Sequence, residues 1–239
     1  HTPQGIFELK ESCEIGHGGV STPLLVGQYD SPFVRRVGIA LRLYGMPFRH
    51  APWSVFGDAE RIADLNPLLR VPTLVLEDGT ALVDSFAILD TLDDMVGRDR
   101  ALFPATGTAR RDAVRIAALA CGLGDKAVSL FYERRLHDVT SELWESRCRQ
   151  QIGGTLDLLE ACHAARPGPW WGGADIGHAD IAVAAMWRFV DEAHPGLIAV
   201  GAYPHLSALS ARAEALPAFR EISQPFKTSA PGKTSAPGR

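Results

Sequence analysis

The sequence has no C-x-x-C pair, no run of lysine and arginine, and no apolar stretch near the roughly 18 residues a membrane-crossing helix needs. The first absence excludes a zinc ribbon and a dithiol redox motif, so Cys13, Cys121, Cys148 and Cys162 read as free thiols. With a formal net charge of -4, the second excludes a nucleic-acid footprint and an anionic-membrane surface, which leaves small molecules as the expected partners. The third, together with an N-terminus lacking the basic-then-apolar signal pattern, predicts a soluble, cytoplasmic protein with no membrane association. No histidine or cysteine spacing suits a metal, so no metal is expected.

What is present is an ordinary globular composition, 46% hydrophobic and 22% charged over 239 residues, enough for two modest domains. Residues 1–21 read as an irregular N-terminal extension, and 227–239 as a flexible tail in which Lys-Thr-Ser-Ala-Pro-Gly is written twice. Between them the pattern changes character at Gly97. Strand and helix signals alternate before it, and only helical periodicity follows.

The first domain is placed at 22–97. Leu24, Leu25 and Val26 suggest a buried strand, and Ser31-Pro32 opens a helix carrying Phe33, Val37, Leu41 and Tyr44 that Gly45 ends. Phe48 to Trp53 suits a second strand, parallel to the first because a helix separates them. A short helix over Ala59 to Leu65 stops at Asn66-Pro67. Val71 to Glu77 and Thr80 to Val83 flank Asp78-Gly79 as a hairpin, and Ser85 caps the next helix. The order β-α-β-α-β-β-α is that of a thioredoxin-type domain without its dithiol. After a linker at 98–108, residues 109–226 read as an all-helical bundle of four or five helices, one with the stripe Cys148, Ile152, Leu156, Leu159. In it Asp180 stands third in a helix that follows Gly177, placed to reach back to an orphan N–H, with Ile176 and Ile181 spaced as a hydrophobic staple.

Three places in the first domain lie near one edge of the sheet in such a layout: Ser31, Val71-Pro72 and Asp84-Ser85. Ser31 stands at a helix N-terminus, where peptide N–H groups and the helix dipole favour an anion. If the anion is a thiolate, lowering a thiol from about 8.5 to about 6.5 requires roughly 2.7 kcal/mol. One charge-assisted hydrogen bond supplies about 1.5 to 3 kcal/mol and the helix terminus about 0.3 to 1, so no general base is needed. Each place also has a purely structural reading: a capping serine before proline, a turn with or without a cis peptide, and a strand end followed by a capped helix.

Taken together, Tyr29-Asp30-Ser31-Pro32-Phe33, then Asn66 to Leu74 with Arg70-Val71-Pro72, then Asp84-Ser85-Phe86-Ala87-Ile88, then Gly177-His178-Ala179-Asp180 resemble the cytosolic glutathione transferase superfamily, nearest its serine-type classes. The resemblance spans Pro23 to about Phe226. It implies a detoxifying transferase in which Ser31 holds the thiolate of glutathione, the cosubstrate, for attack on a small electrophile. By the same resemblance Val71, before cis-Pro72, pairs with the cysteinyl part, Asp84 and Ser85 take the γ-glutamyl end, and Arg70 takes the glycyl carboxylate. A homodimer is also implied.

Two departures stand out: Asp84 replaces the usual glutamate, and the loop Trp53 to Asp58 lacks a lysine or histidine for the glycyl end. Tyr29 is the alternative thiolate donor. Phe33, Phe131 and Tyr132, with Tyr29, are the candidates for the acceptor pocket, while His178 and His205 carry no assignment. The same site would also serve a glutathione-dependent reductase, peroxidase or isomerase, or a binding or regulatory protein without turnover.

Overall fold

The computed structural model of the chain describes residues 22–199 and 201–226. The two terminal segments, with Cys13, lie outside the described residues. Four strands form a mixed sheet in the order β2-β1-β3-β4: β1 Leu24–Val26, β2 Arg49–Ala51, β3 Thr73–Val75 and β4 Ala81–Val83. β1 runs parallel to β2 across helix α1 (Pro32–Leu43), and β3 and β4 form an antiparallel hairpin. Helices α2 (Ala59–Ala63) and α3 (Ser85–Val96) complete this half, which has the element order that the pattern predicts.

The strands are shorter than the pattern suggests, for local reasons. Pro72, joined to Val71 by a cis bond, has no N–H to give a ladder; β3 begins after it, at Thr73. Trp53 N–H turns back to the Ala51 carbonyl at 2.8 Å, which ends β2. Asp84, rather than Ser85, caps α3: its carboxylate accepts from Phe86 N–H at 2.8 Å, and Ser85 is the first helical residue.

Five helices follow among the described residues: α4 (Gly107–Leu136), α5 (Glu142–Ala164), α6 (His178–Ala193), α7 (Pro204–Glu214) and α8 (Pro217–Glu221). The stripe Cys148, Ile152, Leu156, Leu159 is buried, as its spacing demands. α6 lies at the centre, buried along most of its length. It crosses α4 where Gly124 presents no side chain; a Cβ there would lie 2.2 Å from the Met186 sulfur.

His178 belongs to the seam between the two halves. Its Nε2 lies 2.9 Å from Asp93 of α3, and the same carboxylate bonds the Tyr44 hydroxyl and accepts from the Leu102 and Phe103 N–H groups at 3.2 and 3.1 Å. Burial alone would push the Asp93 carboxyl up, but the bonds from His178 and Tyr44 outweigh it and hold it below the usual range. α1, α3, the connecting segment and α6 thus meet on one carboxylate.

Candidate functional site

The register of the sheet brings three distant segments to one end. Val26 faces Thr73, and Thr73 faces Val83. The chain leaving β1 toward Ser31, the chain entering β3 through Val71-Pro72, and the chain leaving β4 at Asp84-Ser85 are therefore neighbours. With strands about 4.8 Å apart, the three span about 10 Å, the length of an extended tripeptide.

Gly27 makes this junction possible. Its φ is +123°, and a Cβ there would lie 2.5 Å from Val34 Cγ2 and 2.8 Å from Val71 Cβ. Only glycine lets β1, the start of α1 and Val71 come so close. Gly27→Ala is expected to cost about 2 to 3 kcal/mol of stability through overpacking and backbone strain. Chemical unfolding checks this, and a loss below about 0.5 kcal/mol would mean the junction can spread.

Ser31 caps α1, its Oγ accepting from Val34 N–H at 3.4 Å, so the hydroxyl proton is left to donate elsewhere. The residue lines a cavity of about 730 Å³ together with Arg70 and Val71. No hydrogen bond to another described residue engages the peptide N–H or C=O of Val71. A peptide group left open beside a hydroxyl at a helix N-terminus can pair with another peptide and hold an anion next to it. Arg70 is exposed and pairs with Asp125 of α4 at 3.4 Å.

Asp84 and Ser85 lie at the same strand ends but outside the cavity lining. Asp84 is exposed and held at φ +69°, a left-handed conformation that is strained for a residue with a side chain. Ser85 is buried. Its Oγ accepts from Arg36 Nη1 at 3.3 Å, which leaves its own proton to be donated outward. Arg36 itself is fully buried, lies over the Phe86 ring, and reaches the Cys121 sulfur at 2.7 Å.

Aromatic side chains also line the cavity. Among them are the sequence candidates Phe33, Phe131 and Tyr132, together with Phe189 of α6 and Phe226. The Phe226 ring meets Phe131 and Phe189 edge-on, with centroids 5.2 and 5.5 Å away. Phe226 is brought there by a clamp on α1: Arg35 pairs with Glu214 at 2.7 Å and donates to the Ile222 and Phe219 carbonyls, while Tyr29 N–H donates to Gln224 at 3.1 Å.

Tyr29 stands apart from this lining. Its ring stacks on His50, with centroids 3.9 Å apart, and packs beside Gly38, which is seven residues or about 10 Å along α1 from Ser31. Burial pushes its phenol up, against the nearby Arg42. His205 faces His163 away from the cavity, and no group of three or more potential metal ligands occurs among the described residues.

Sequence reasoning missed Phe189, Phe226, Asp125 and Arg135. Asp125, Val128, Tyr132 and Arg135 recur at helical spacing on α4, and two charges in an otherwise apolar stripe were the one available signal.

Comparison with known proteins supplies what geometry alone does not. The profile of the glutathione S-transferase N-terminal domain matches residues 30–95, and that of the C-terminal domain matches 142–212. An uncharacterized GST-like protein of Escherichia coli (strain K12), YibF, is 34% identical over 137 residues, 57% of this chain and 67% of that protein. A glutathione S-transferase from Methylobacterium radiotolerans, solved in complex with glutathione sulfonate, superposes with a TM-score of 0.81 at 29% identity, covering 88% of this chain and 98% of that one. A glutathione transferase family member from Pseudomonas fluorescens with bound glutathione gives 0.74 at 29% identity, over 86% and 100%. Matched in both halves, and 34% identical to a relative over two thirds of that relative's length, this chain belongs to the glutathione S-transferase family.

Proposed function

We propose that the protein is a glutathione transferase whose cosubstrate lies across the three strand ends, sulfur beside Ser31, and whose electrophile enters the aromatic part of the cavity. The observation that carries this is Ser31 itself, a helix-capping hydroxyl that lines the cavity beside the unpaired peptide of Val71. In this reading Ser31 donates to the thiolate, Val71 pairs with the cysteinyl peptide, and Arg70 attracts the glycyl carboxylate. Ser85 donates to the γ-glutamyl carboxylate, and Asp84 receives its ammonium. The shorter Asp84, also engaged with Phe86 N–H, makes the ammonium the more weakly held end.

Glutathione bound in the Pseudomonas structure and glutathione sulfonate bound in the Methylobacterium one support the cosubstrate. A cytosolic location is part of the same proposal. No helix among the described residues is long and apolar enough to cross a membrane. So is a homodimer, in which a second copy would cover exposed apolar residues such as Leu68 and Met95; sedimentation at micromolar concentration tests it.

The test of function joins calorimetric titration with glutathione to a conjugation assay on a chlorodinitrobenzene. Binding with turnover is expected. Binding without turnover on any electrophile, peroxide or disulfide would leave a binding protein instead.

A further inference from the structure

Resting on the transferase reading, we propose that the second substrate is an aromatic electrophile bearing an anionic group on the side of the ring away from the reacting carbon, and that Arg135 receives that group. The charges along the cavity are unevenly answered. Arg70 is answered by Asp125, and Asp30 sits next to Ser31 at the sulfur end. Arg135 lies ten residues past Asp125 and three past Tyr132, about 15 and 4.5 Å farther along the axis of α4.

Arg135 lines the cavity, is half-buried, and has no ion pair with a carboxylate among the described residues. Glu133 and Glu145, on the same part of the chain, are occupied by other partners. Glu133 accepts from Ser141 N–H at 2.7 Å and meets His137 at 2.9 Å, while Glu145 accepts from Arg134 at 2.9 Å and also pairs with Arg149.

A guanidinium that lines a cavity with no carboxylate paired to it is matched by a planar carboxylate or sulfonate, whose two oxygens fit its fork. The cavity that Ser31 and Arg135 line is also lined by the rings of Phe33, Phe131, Tyr132 and Phe226. A flat apolar body with one anionic end fits that lining, reacting carbon toward Ser31 and anion toward Arg135. In the reaction the sulfur lone pair of the thiolate forms the new C–S bond, the C–Cl bond breaks, and chloride leaves with its electron pair. The thiol proton has already gone to solvent.

The test compares chlorodinitrobenzoate, its chlorine para to the carboxylate and flanked by the nitro groups, with the corresponding neutral benzamide. Each kcat/KM is divided by that compound's uncatalysed rate with glutathione. The wild-type protein is expected to favour the acid at least tenfold, Arg135→Gln to lower that preference about tenfold, and Arg135→Lys to lower it less. Calorimetry of the two glutathione conjugates, acid and amide, should show the same preference in affinity, a readout that does not depend on turnover. Equal corrected rates for acid and amide, or a preference unmoved by Arg135→Gln, would overturn this assignment and leave the transferase standing. Turnover of neither compound would overturn this assignment, and the transferase reading would fall with it only if no other electrophile is conjugated either.

Discussion

Replacing Ser31 with alanine is expected to raise the pKa of the bound glutathione thiol by one to two units and to lower kcat/KM near pH 6.5 about tenfold. The size follows from the bond removed. A charge-assisted hydrogen bond contributes about 1.5 to 3 kcal/mol, and each pKa unit is 1.36 kcal/mol. The thiolate fraction at that pH falls by roughly five- to fiftyfold, and the greater nucleophilicity of the more basic thiolate recovers part of the loss. Above both pKa values the rates of variant and wild type should converge.

Ser31 also caps α1, so alanine costs about 1 kcal/mol of stability, whereas glycine costs only a few tenths. Ser31→Gly therefore separates chemistry from capping: it should shift the thiol as far as alanine does while unfolding almost like wild type. Thiolate absorbance of the complex, titrated against pH, is the measurement. An unchanged pKa in both variants would take the donor role from Ser31. It would then pass to Tyr132, which lines the cavity, and not to Tyr29, whose ring is turned along α1 toward His50.

The second large effect lies far from the cavity. Asp180→Ala is expected to cost about 4 kcal/mol of folding stability. Asp180 is fully buried and accepts from Trp171 N–H at 2.7 Å and Gly177 N–H at 2.9 Å. Gly177, at the cap of α6, has no side chain to serve that end of the helix. Each buried N–H left without a partner costs about 1 to 3 kcal/mol, and the lost carboxylate leaves a void besides. Urea unfolding decides it; a cost under about 1 kcal/mol would mean that water takes over both N–H groups.

The penalty should also depend on pH. Burial pushes the Asp180 carboxyl up to about 6, against the pull of the two N–H groups. An unfolded aspartate titrates near 3.9. Because the folded value is the higher, the group's stabilising contribution is full below about pH 4 and is lost as pH rises through about 6. Asp180→Ala is thus expected to cost more at pH 4.5 than at pH 7, and the reverse order would show that the N–H bonds outweigh burial.

Much of the fold was legible because local rules and the tertiary structure agree. Ser31-Pro32 at a helix start, Asp78-Gly79 between two β-rich runs, and Asp180 three residues after Gly177 each state a local hydrogen-bonding requirement that neighbouring residues meet. Ser85 was misplaced as a cap because Asp and Ser are both good capping residues. Only the backbone of Asp84, held at positive φ, decides between them.

The sequence by itself determined the glutathione end of the proposed site as candidates, Ser31, Arg70 and Val71, since each stands where one strand meets one turn. Phe33, Phe131 and Tyr132 were candidates for the rest of the cavity, but tertiary structure alone added Asp125, Arg135, Phe189 and Phe226 to its lining. Asp125, Tyr132 and Arg135 lie on a helical stripe that reads in the sequence like any core-facing stripe, and what makes it a wall is that this stripe lines a cavity. Phe226 reaches Phe131 only because Arg35, nearly two hundred residues earlier, holds the end of the chain against α1. Spacing along one helix reveals which residues share a face, but a cavity is the gap left between elements, and no single element encodes a gap.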